Sequence, residues 1–213
     1  MSEGGPRRPD LGGVADLVAV MDALRSPGGC PWDAEQTHAS LAPYAIEEAY
    51  ELAEAVDGGD RAHLREELGD LLLQVVFHAR VAQDDPDDAF DLDDVARGIA
   101  DKMRRRHPHV FADGDARTPA QVEARWDAIK AAEKPQRSGP LDGIPAGMPG
   151  LERAAKVVAR LERAGRLDAA RQAADADDLG ARMLGLVIEA RDAGIDPSSA
   201  LRATLTGLGD GLR

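Results

Sequence analysis

Two acidic clusters stand close together in the chain, Glu47-Glu48-Ala49-Tyr50-Glu51 and Glu66-Glu67-Leu68-Gly69-Asp70. Residues three apart on a helix are neighbours on one face, so Glu48 pairs with Glu51 and Glu67 with Asp70. Between the clusters lies Asp57-Gly58-Gly59-Asp60, a turn short enough to make the two helices antiparallel neighbours. The four carboxylates then converge across one helix pair. Carboxylates gathered in this way repel one another and need a cation, protons or salt bridges. Oxygen-only ligands favour hard ions, Mg²⁺ or Mn²⁺, over zinc, and Mg²⁺ held by a few carboxylates takes its other ligands from water and phosphates. The competing reading is a pair of solvated helix faces. Against it, the acids are interleaved with Ile46, Leu52, Leu68 and Leu71 and border the expected buried stripe. The pattern alone leaves both readings open. A di-iron bundle is a poorer match, because it needs two Glu-x-x-His pairs and only Glu35–His38 has that spacing.

A basic run follows, Asp101-Lys102-Met103-Arg104-Arg105-Arg106-His107. Cations at a helix C-terminus are favoured by the helix dipole, so simple capping accounts for them in isolation. Beside an acidic metal site they have a second use: Arg and Lys neutralise the phosphate charge that metals leave over. Lys102 and Arg106 share a face, with Arg105 adjacent. Trp126 and Lys130 share a face further on, and Trp32 sits in an early loop. Either tryptophan stacks on a base or fills the core, and spacing does not decide between them. There is no Gly-x-x-x-x-Gly-Lys-Ser/Thr loop and no Gly-x-Gly-x-x-Gly fingerprint. Cys30 near His38 suggests a thiol nucleophile only weakly, since a lone cysteine beside Pro31 and Trp32 reads as structural.

The elements that must carry these residues are helical. Apolar spacings of three and four predict helices over about Leu11–Leu24, Ala42–Val56, Arg61–Gln83, Leu92–Arg106 and Pro119–Glu133. Cys30–Pro43 reads as irregular, and Leu64, Leu68, Leu71, Leu72, Val75 and Val76 are expected to face inward. No period-two pattern appears, so the expected fold is an all-α antiparallel bundle. Residues 1–12 read as a flexible tail, 13–134 as a catalytic helical domain, 135–150 as a Pro/Gly linker and 151–213 as a second helical unit. The segment Leu68–Arg80 can be laid over Leu179–Arg191 without a gap, with Leu, Gly, Leu, Val, Ala and Arg recurring in step. In that register Asp70 becomes Ala181 and Glu67 becomes Asp178, and the first acidic cluster has no counterpart. The second unit reads as a shortened, non-catalytic copy.

Composition narrows the function classes. The 213 residues carry a net charge of −13, far from the broad basic field that wrapping a nucleic acid requires. Aromatics are 3%, so the core is Ala, Leu, Val and Ile, which suits packed helices. A single cysteine excludes an internal disulfide and fits a cytoplasmic protein. The N-terminus has no apolar signal-peptide core, and no apolar run is long enough to span a bilayer.

Taken in order, five motifs resemble the MazG family of nucleoside triphosphate pyrophosphohydrolases. They are Gly29-Cys30-Pro31-Trp32-Asp33-Ala34-Glu35-Gln36-Thr37, Pro43–Glu51, Glu67-Leu68-Gly69-Asp70-Leu71-Leu72, Asp101–Phe111 and Arg125–Lys130. The resemblance implies an all-α bundle acting as a homodimer or higher oligomer. It implies hydrolysis of NTP or dNTP to the monophosphate and pyrophosphate, in the cleansing of nucleotide pools. Its ion would be Mg²⁺, with Mn²⁺ as substitute, held by Glu48, Glu51, Glu67 and Asp70. Lys102, Arg105 and Arg106 would hold phosphates, Trp126 and Lys130 would lie at the nucleotide, and Glu47 is the candidate to orient or deprotonate the attacking water. Narrower readings are a single dNTP or a phosphoribosyl nucleotide as substrate; a non-catalytic helical adaptor is the remaining alternative.

Overall fold

A computed structural model describes residues 11–133 and 139–211; most of the expected N-terminal tail and the first part of the expected linker lie outside them. The helices are α1 (Gly12–Arg25), α2 (Pro31–Glu35), α3 (His38–Gly58), α4 (Arg61–Ala82), α5 (Leu92–Arg106), α6 (Pro108–Phe111), α7 (Pro119–Glu133), α8 (Gly150–Arg163), α9 (Leu167–Ala174), α10 (Leu179–Asp192) and α11 (Pro197–Asp210). Among the described residues there is no strand, and the fold is all-α. The chain divides into two compact units, Met1–Gly114 and Asp115–Arg213, so α7 falls within the second.

In the first unit the α3/α4 hairpin is the central feature. Gly59 ends α3 with φ +72°, a left-handed conformation that favours glycine, and Asp60 caps α4 by accepting from Ala62 N–H at 2.8 Å. Earlier residues of α3 meet later residues of α4: His38 reaches His78, while Glu48 meets Glu67 and Asp70. The two helices are therefore antiparallel, as the turn predicted.

Two sequence expectations are corrected. The first is the irregular stretch Cys30–Pro43, which holds α2 and the whole first turn of α3. Thr37 and Ser40 form a reciprocal capping box, with Ser40 N–H donating to Thr37 Oγ1 at 3.2 Å and Thr37 N–H donating to Ser40 Oγ at 2.9 Å. That box starts the helix before Pro43, which is carried inside α3 at the cost of one ladder hydrogen bond. The second is the inward face of α4. Val76 is buried as expected, but Leu68, Leu72 and Val75 are exposed, and the buried positions include Glu67, Gln74, Phe77 and Ala79. The apolar pattern of α4 is wider than the face its own unit covers.

The core joins Met21 of α1, Leu41 of α3 and Val76 and Phe77 of α4, with Leu17, Val18, Leu24, Leu73, Val81 and Leu92 packed around them. Gly29 permits the tight connection to α2, since a Cβ there would lie 2.3 Å from the carbonyl oxygens of Ala23 and Leu24. Charged groups lock the ends of this core. Arg25 donates to the carbonyls of Asp33 and Gln36 and pairs with Asp84 at 2.8 Å, and Arg80 bridges Asp22 at 2.8 Å and Asp84 at 2.7 Å. Hydrogen bonds from Arg25 and then Arg80 hold the Asp84 carboxyl below its ordinary range.

The second unit has its own core of Val158, Ala170, Val187 and Ile188. Here α10 exposes Leu179, Met183 and Leu186, the positions that Leu68, Leu72 and Val75 hold in α4. It buries Val187 and Ile188 where α4 buries Val76 and Phe77.

Because Phe77 and Thr37 act through different terms, they separate by magnitude. Phe77→Ala should cost about 3–5 kcal/mol by removing core volume, and Thr37→Ala about 1 kcal/mol by removing a cap. Urea unfolding measures both; a Phe77→Ala loss below ~1 kcal/mol would contradict its place in the core.

Candidate functional site

The α3/α4 hairpin brings three carboxylates together. One oxygen each from Glu48, Glu67 and Asp70 lies within 4.8 Å of the others. Glu67 is buried, at 7% exposure, while Glu48 and Asp70 are half-buried. Glu51, the fourth residue expected here, is exposed and lies outside this group of three, but it hydrogen-bonds to Glu48. A hydrogen bond between two carboxyl groups requires a shared proton, since an ionised carboxylate only accepts. Accordingly the Glu48 carboxyl is raised above the ordinary glutamate range, first by burial, then by the charge of Asp70, the charge and hydrogen bond of Glu51, and the charge of Glu67.

These groups fit a hard divalent cation. Their donors are all carboxylate oxygens, which suits Mg²⁺ or Mn²⁺. One buried acceptor, Glu67 Oε2, has no hydrogen-bond partner, and an unsatisfied buried oxygen of this kind is costly. Its other oxygen, Oε1, lies 3.0 Å from Nε2 of His63, one turn earlier on α4.

The remaining candidates are placed as follows. Glu47 is exposed on α3, directly before Glu48. Lys102, Arg105 and Arg106 occupy the last turn of α5, which packs on α4. Lys102 is half-buried and Arg106 is buried at 8% exposure, so those two share the inner side of the helix, whereas Arg105 is exposed. Trp126 and Lys130 lie on α7 in the second unit, with the ammonium 5.2 Å from the indole centroid. Trp32 is exposed and meets Tyr44 and Phe77 edge-on at 6.3 and 6.4 Å, which makes it partly a cover of the core.

Sequence reasoning missed His63, although its spacing of four from Glu67 was legible. It also missed the His38–His78 pair, whose Nδ1 atoms lie 2.7 Å apart with the rings stacked. No spacing rule reveals that contact, because 40 residues separate the two. In the second unit Ala181 is buried in the place of Asp70, and Asp178, the counterpart of Glu67, caps α10 by accepting from Ala181 N–H at 2.8 Å. Among the described residues the Glu48, Glu67 and Asp70 group is the one such cluster.

Comparison with known proteins places this geometry in context. Residues 36–111 match the family model of the MazG nucleotide pyrophosphohydrolase domain, a span that holds every acidic and basic candidate and excludes Trp126 and Lys130. The nucleoside triphosphate pyrophosphohydrolase of Escherichia coli K12 is 48% identical over 152 residues, covering 70% of this chain and 57% of the relative. The chain thus spans little more than half the length of that relative. The nucleoside triphosphate pyrophosphohydrolase/pyrophosphatase MazG of Thermotoga maritima is 39% identical over 207 residues, covering 88% of this chain and 79% of the relative. An uncharacterized 26.1 kDa protein of Streptomyces cacaoi is 48% identical over 210 residues, 98% of this chain and 85% of its own length.

The raised Glu48 carboxyl has a sign that can be measured. The folded chain binds this proton more tightly than the unfolded chain does. The stabilisation is complete below the unfolded pKa and is lost as pH rises through the raised folded value. Without metal, ionised Glu48 therefore weakens the fold near neutral pH. In EDTA, Glu48→Gln should have a higher Tm than the wild type at about pH 7, and the gap should close near about pH 4, where unfolded glutamate itself protonates. Calorimetry at both values checks this; a lower Tm for the variant at neutral pH would contradict it.

Proposed function

We propose that this chain, which belongs to the MazG family of nucleotide pyrophosphohydrolases, hydrolyses nucleoside triphosphates to monophosphate and pyrophosphate. The observation that carries the reading is the convergence of Glu48, Glu67 and Asp70 within 4.8 Å, with Glu51 bonded to Glu48, inside the matched segment. We assign Glu48, Glu51, Glu67 and Asp70 to a Mg²⁺ site for which Mn²⁺ can substitute. When bound, the metal would polarise the phosphoryl oxygens, lower the pKa of a coordinated water and offset charge on the departing pyrophosphate.

The chain's own residues do the rest. In the net reaction the water oxygen bonds to the α-phosphorus, the α–β anhydride bond breaks and pyrophosphate carries away the bonding electrons. Glu47, exposed beside Glu48, is our candidate to orient that water and accept its proton. Lys102 and Arg106, on the inner side of α5, and Arg105 beside them would bind phosphate oxygens. For Trp126 and Lys130 a nucleotide role rests on motif position alone. We take 13–134 as the catalytic segment and 151–213 as a non-catalytic helical unit, supported by Ala181 and the capping role of Asp178. Mixed NTP and dNTP substrates, pool cleansing and a cytoplasmic setting complete the proposal; no helix among the described residues is long and apolar enough to cross a membrane.

We also propose a homodimer. Ile46 and Tyr50 on α3 and Leu68, Leu72 and Val75 on α4 are exposed large apolar groups on the hairpin that bears the acids. Exposed apolar groups at helical spacing, as at 46 and 50 and at 68, 72 and 75, favour burial against a partner.

With Mg²⁺ and mixed NTPs the products should be pyrophosphate and NMP, and chromatography showing orthophosphate and NDP instead would refute the reading. Glu51→Gln and Asp70→Asn should each lower kcat/KM by about 100-fold or more, given that even outer-shell changes cost 10- to 100-fold. Sedimentation equilibrium should report a dimer for the wild type and a monomer for Leu68→Asp/Leu72→Asp; a monomeric wild type would remove the dimer from the proposal.

A further inference from the structure

We infer that His63 is a positioning residue for the cation site: its ring N–H donates to Oε1 of Glu67 and so commits Oε2 to the ion. The inference rests on the metal reading above. Nε2 of His63 lies 3.0 Å from Oε1, and the two residues are one helical turn apart on α4. An ionised carboxylate only accepts hydrogen bonds, so the hydrogen must sit on Nε2. The histidine side chain is 43% exposed, whereas the Glu67 side chain is 9% exposed.

That asymmetry separates this contact from an ordinary surface pair. Two exposed partners four apart on a helix gain a few tenths of a kcal/mol and constrain little. Here the acceptor is buried, and its second oxygen, Oε2, is a buried acceptor without a partner. The terminal torsion of a glutamate is broad and roughly two-fold, so an unheld carboxylate presents its two oxygens interchangeably. A donor fixed on Oε1 removes that freedom. It leaves one buried oxygen of Glu67 to join the oxygens of Glu48 and Asp70, which already lie within 4.8 Å.

The residue type matters as well. A lysine or arginine at this position would donate to Glu67 but would also place a full positive charge beside the ion. A histidine supplies the same hydrogen bond from a short, planar ring. Hydrogen bonds to ligating carboxylates tune metal sites in this way, and losing one costs 10- to 100-fold in affinity.

The test is Mn²⁺ binding to the nucleotide-free full chain, read by the EPR signal of free Mn²⁺ at one fixed pH. His63→Ala should weaken binding by about tenfold or more. His63→Gln should bind within about threefold of the wild type, because its amide nitrogen lies the same number of bonds from Cβ as Nε2 and donates likewise. Both substitutions lie on a partly exposed helix surface and should leave the chain folded, which metal-free melting of each variant verifies. Equal affinity of His63→Ala and wild type overturns the inference, as does His63→Gln binding as weakly as His63→Ala. Asp70→Asn in the same titration separates the two levels. If it abolishes wild-type binding, the metal reading stands, and an unchanged His63→Ala sinks only the positioning role. If the wild type itself binds no Mn²⁺, both fall together.

Discussion

Mutual repulsion among Glu48, Glu51, Glu67 and Asp70 is the constraint around which the first unit is arranged. Left to themselves, these side chains would separate into water. They are held together because the same hairpin is pinned by burial about two turns further along, Leu41 lying seven residues before Glu48 and Phe77 seven after Asp70. Leu41 on α3 and Val76 and Phe77 on α4 are almost wholly buried against Met21. Fully burying a side chain of this kind contributes roughly 1.5–3 kcal/mol, so a few of them offset the cost of crowding the acids. The turn at Gly59, the cap at Asp60 and the capping box at Thr37 fix where each helix begins and ends. They thereby fix which residues of α3 face which residues of α4. Burial at one level of the hairpin in this way holds the acids together at another, where a cation can neutralise them.

Much of this was legible in the sequence because it follows from local periodicity. The spacing of Glu48 with Glu51 and Glu67 with Asp70, and the Gly-rich turn between them, are short-range facts that predict one antiparallel site. The boundaries of α5 and α7 were likewise readable from their end signals. What was not legible depended on contacts between distant positions. The start of α3 was hidden by Pro43, a residue that argues against helix unless the Thr37–Ser40 box is weighed against it. The inward face of α4 was misread because Leu68, Leu72 and Val75 are as apolar as a core stripe, and periodicity does not say which of two partners will cover them. The Asp22–Arg80–Asp84–Arg25 network links positions about sixty residues apart and leaves no mark in any window of sequence.

The two units illustrate how small a difference separates a helical framework with a carboxylate cluster from one without. Helices α4 and α10 bury equivalent pairs, Val76–Phe77 and Val187–Ile188, and expose equivalent stripes. Their difference lies in the N-terminal part. Glu67 sits seven positions past the N-cap of α4, whereas its counterpart Asp178 is itself the N-cap of α10. A carboxylate accepting from the backbone at a helix start is satisfied there and has little reason to ligate an ion. With Ala181 buried where Asp70 stands, the packing survives while the charge cluster does not. Packing and charge are thus carried by different turns of the same helix and can change independently.

A net charge of −13 opposes the proposed anionic substrate at long range, and the resolution is one of distance. Between exposed charges, interactions fade over a Debye length of about 8–10 Å at physiological salt, so distant carboxylates contribute little at the site. What matters is the balance within that radius. There the acids that crowd the α3/α4 hairpin are suited to bind divalent cations. Each cation turns a repulsive cluster into a surface that accepts phosphate oxygens. Helix α5, which carries the basic residues toward its end, packs on α4 of that hairpin, with Lys102 and Arg106 less exposed than Arg105. An acidic protein can therefore present a locally cationic site once metal is bound. The same reasoning explains why the cluster has to be acidic in the first place: carboxylates weak enough to coexist without an ion would also be too weak to gather one.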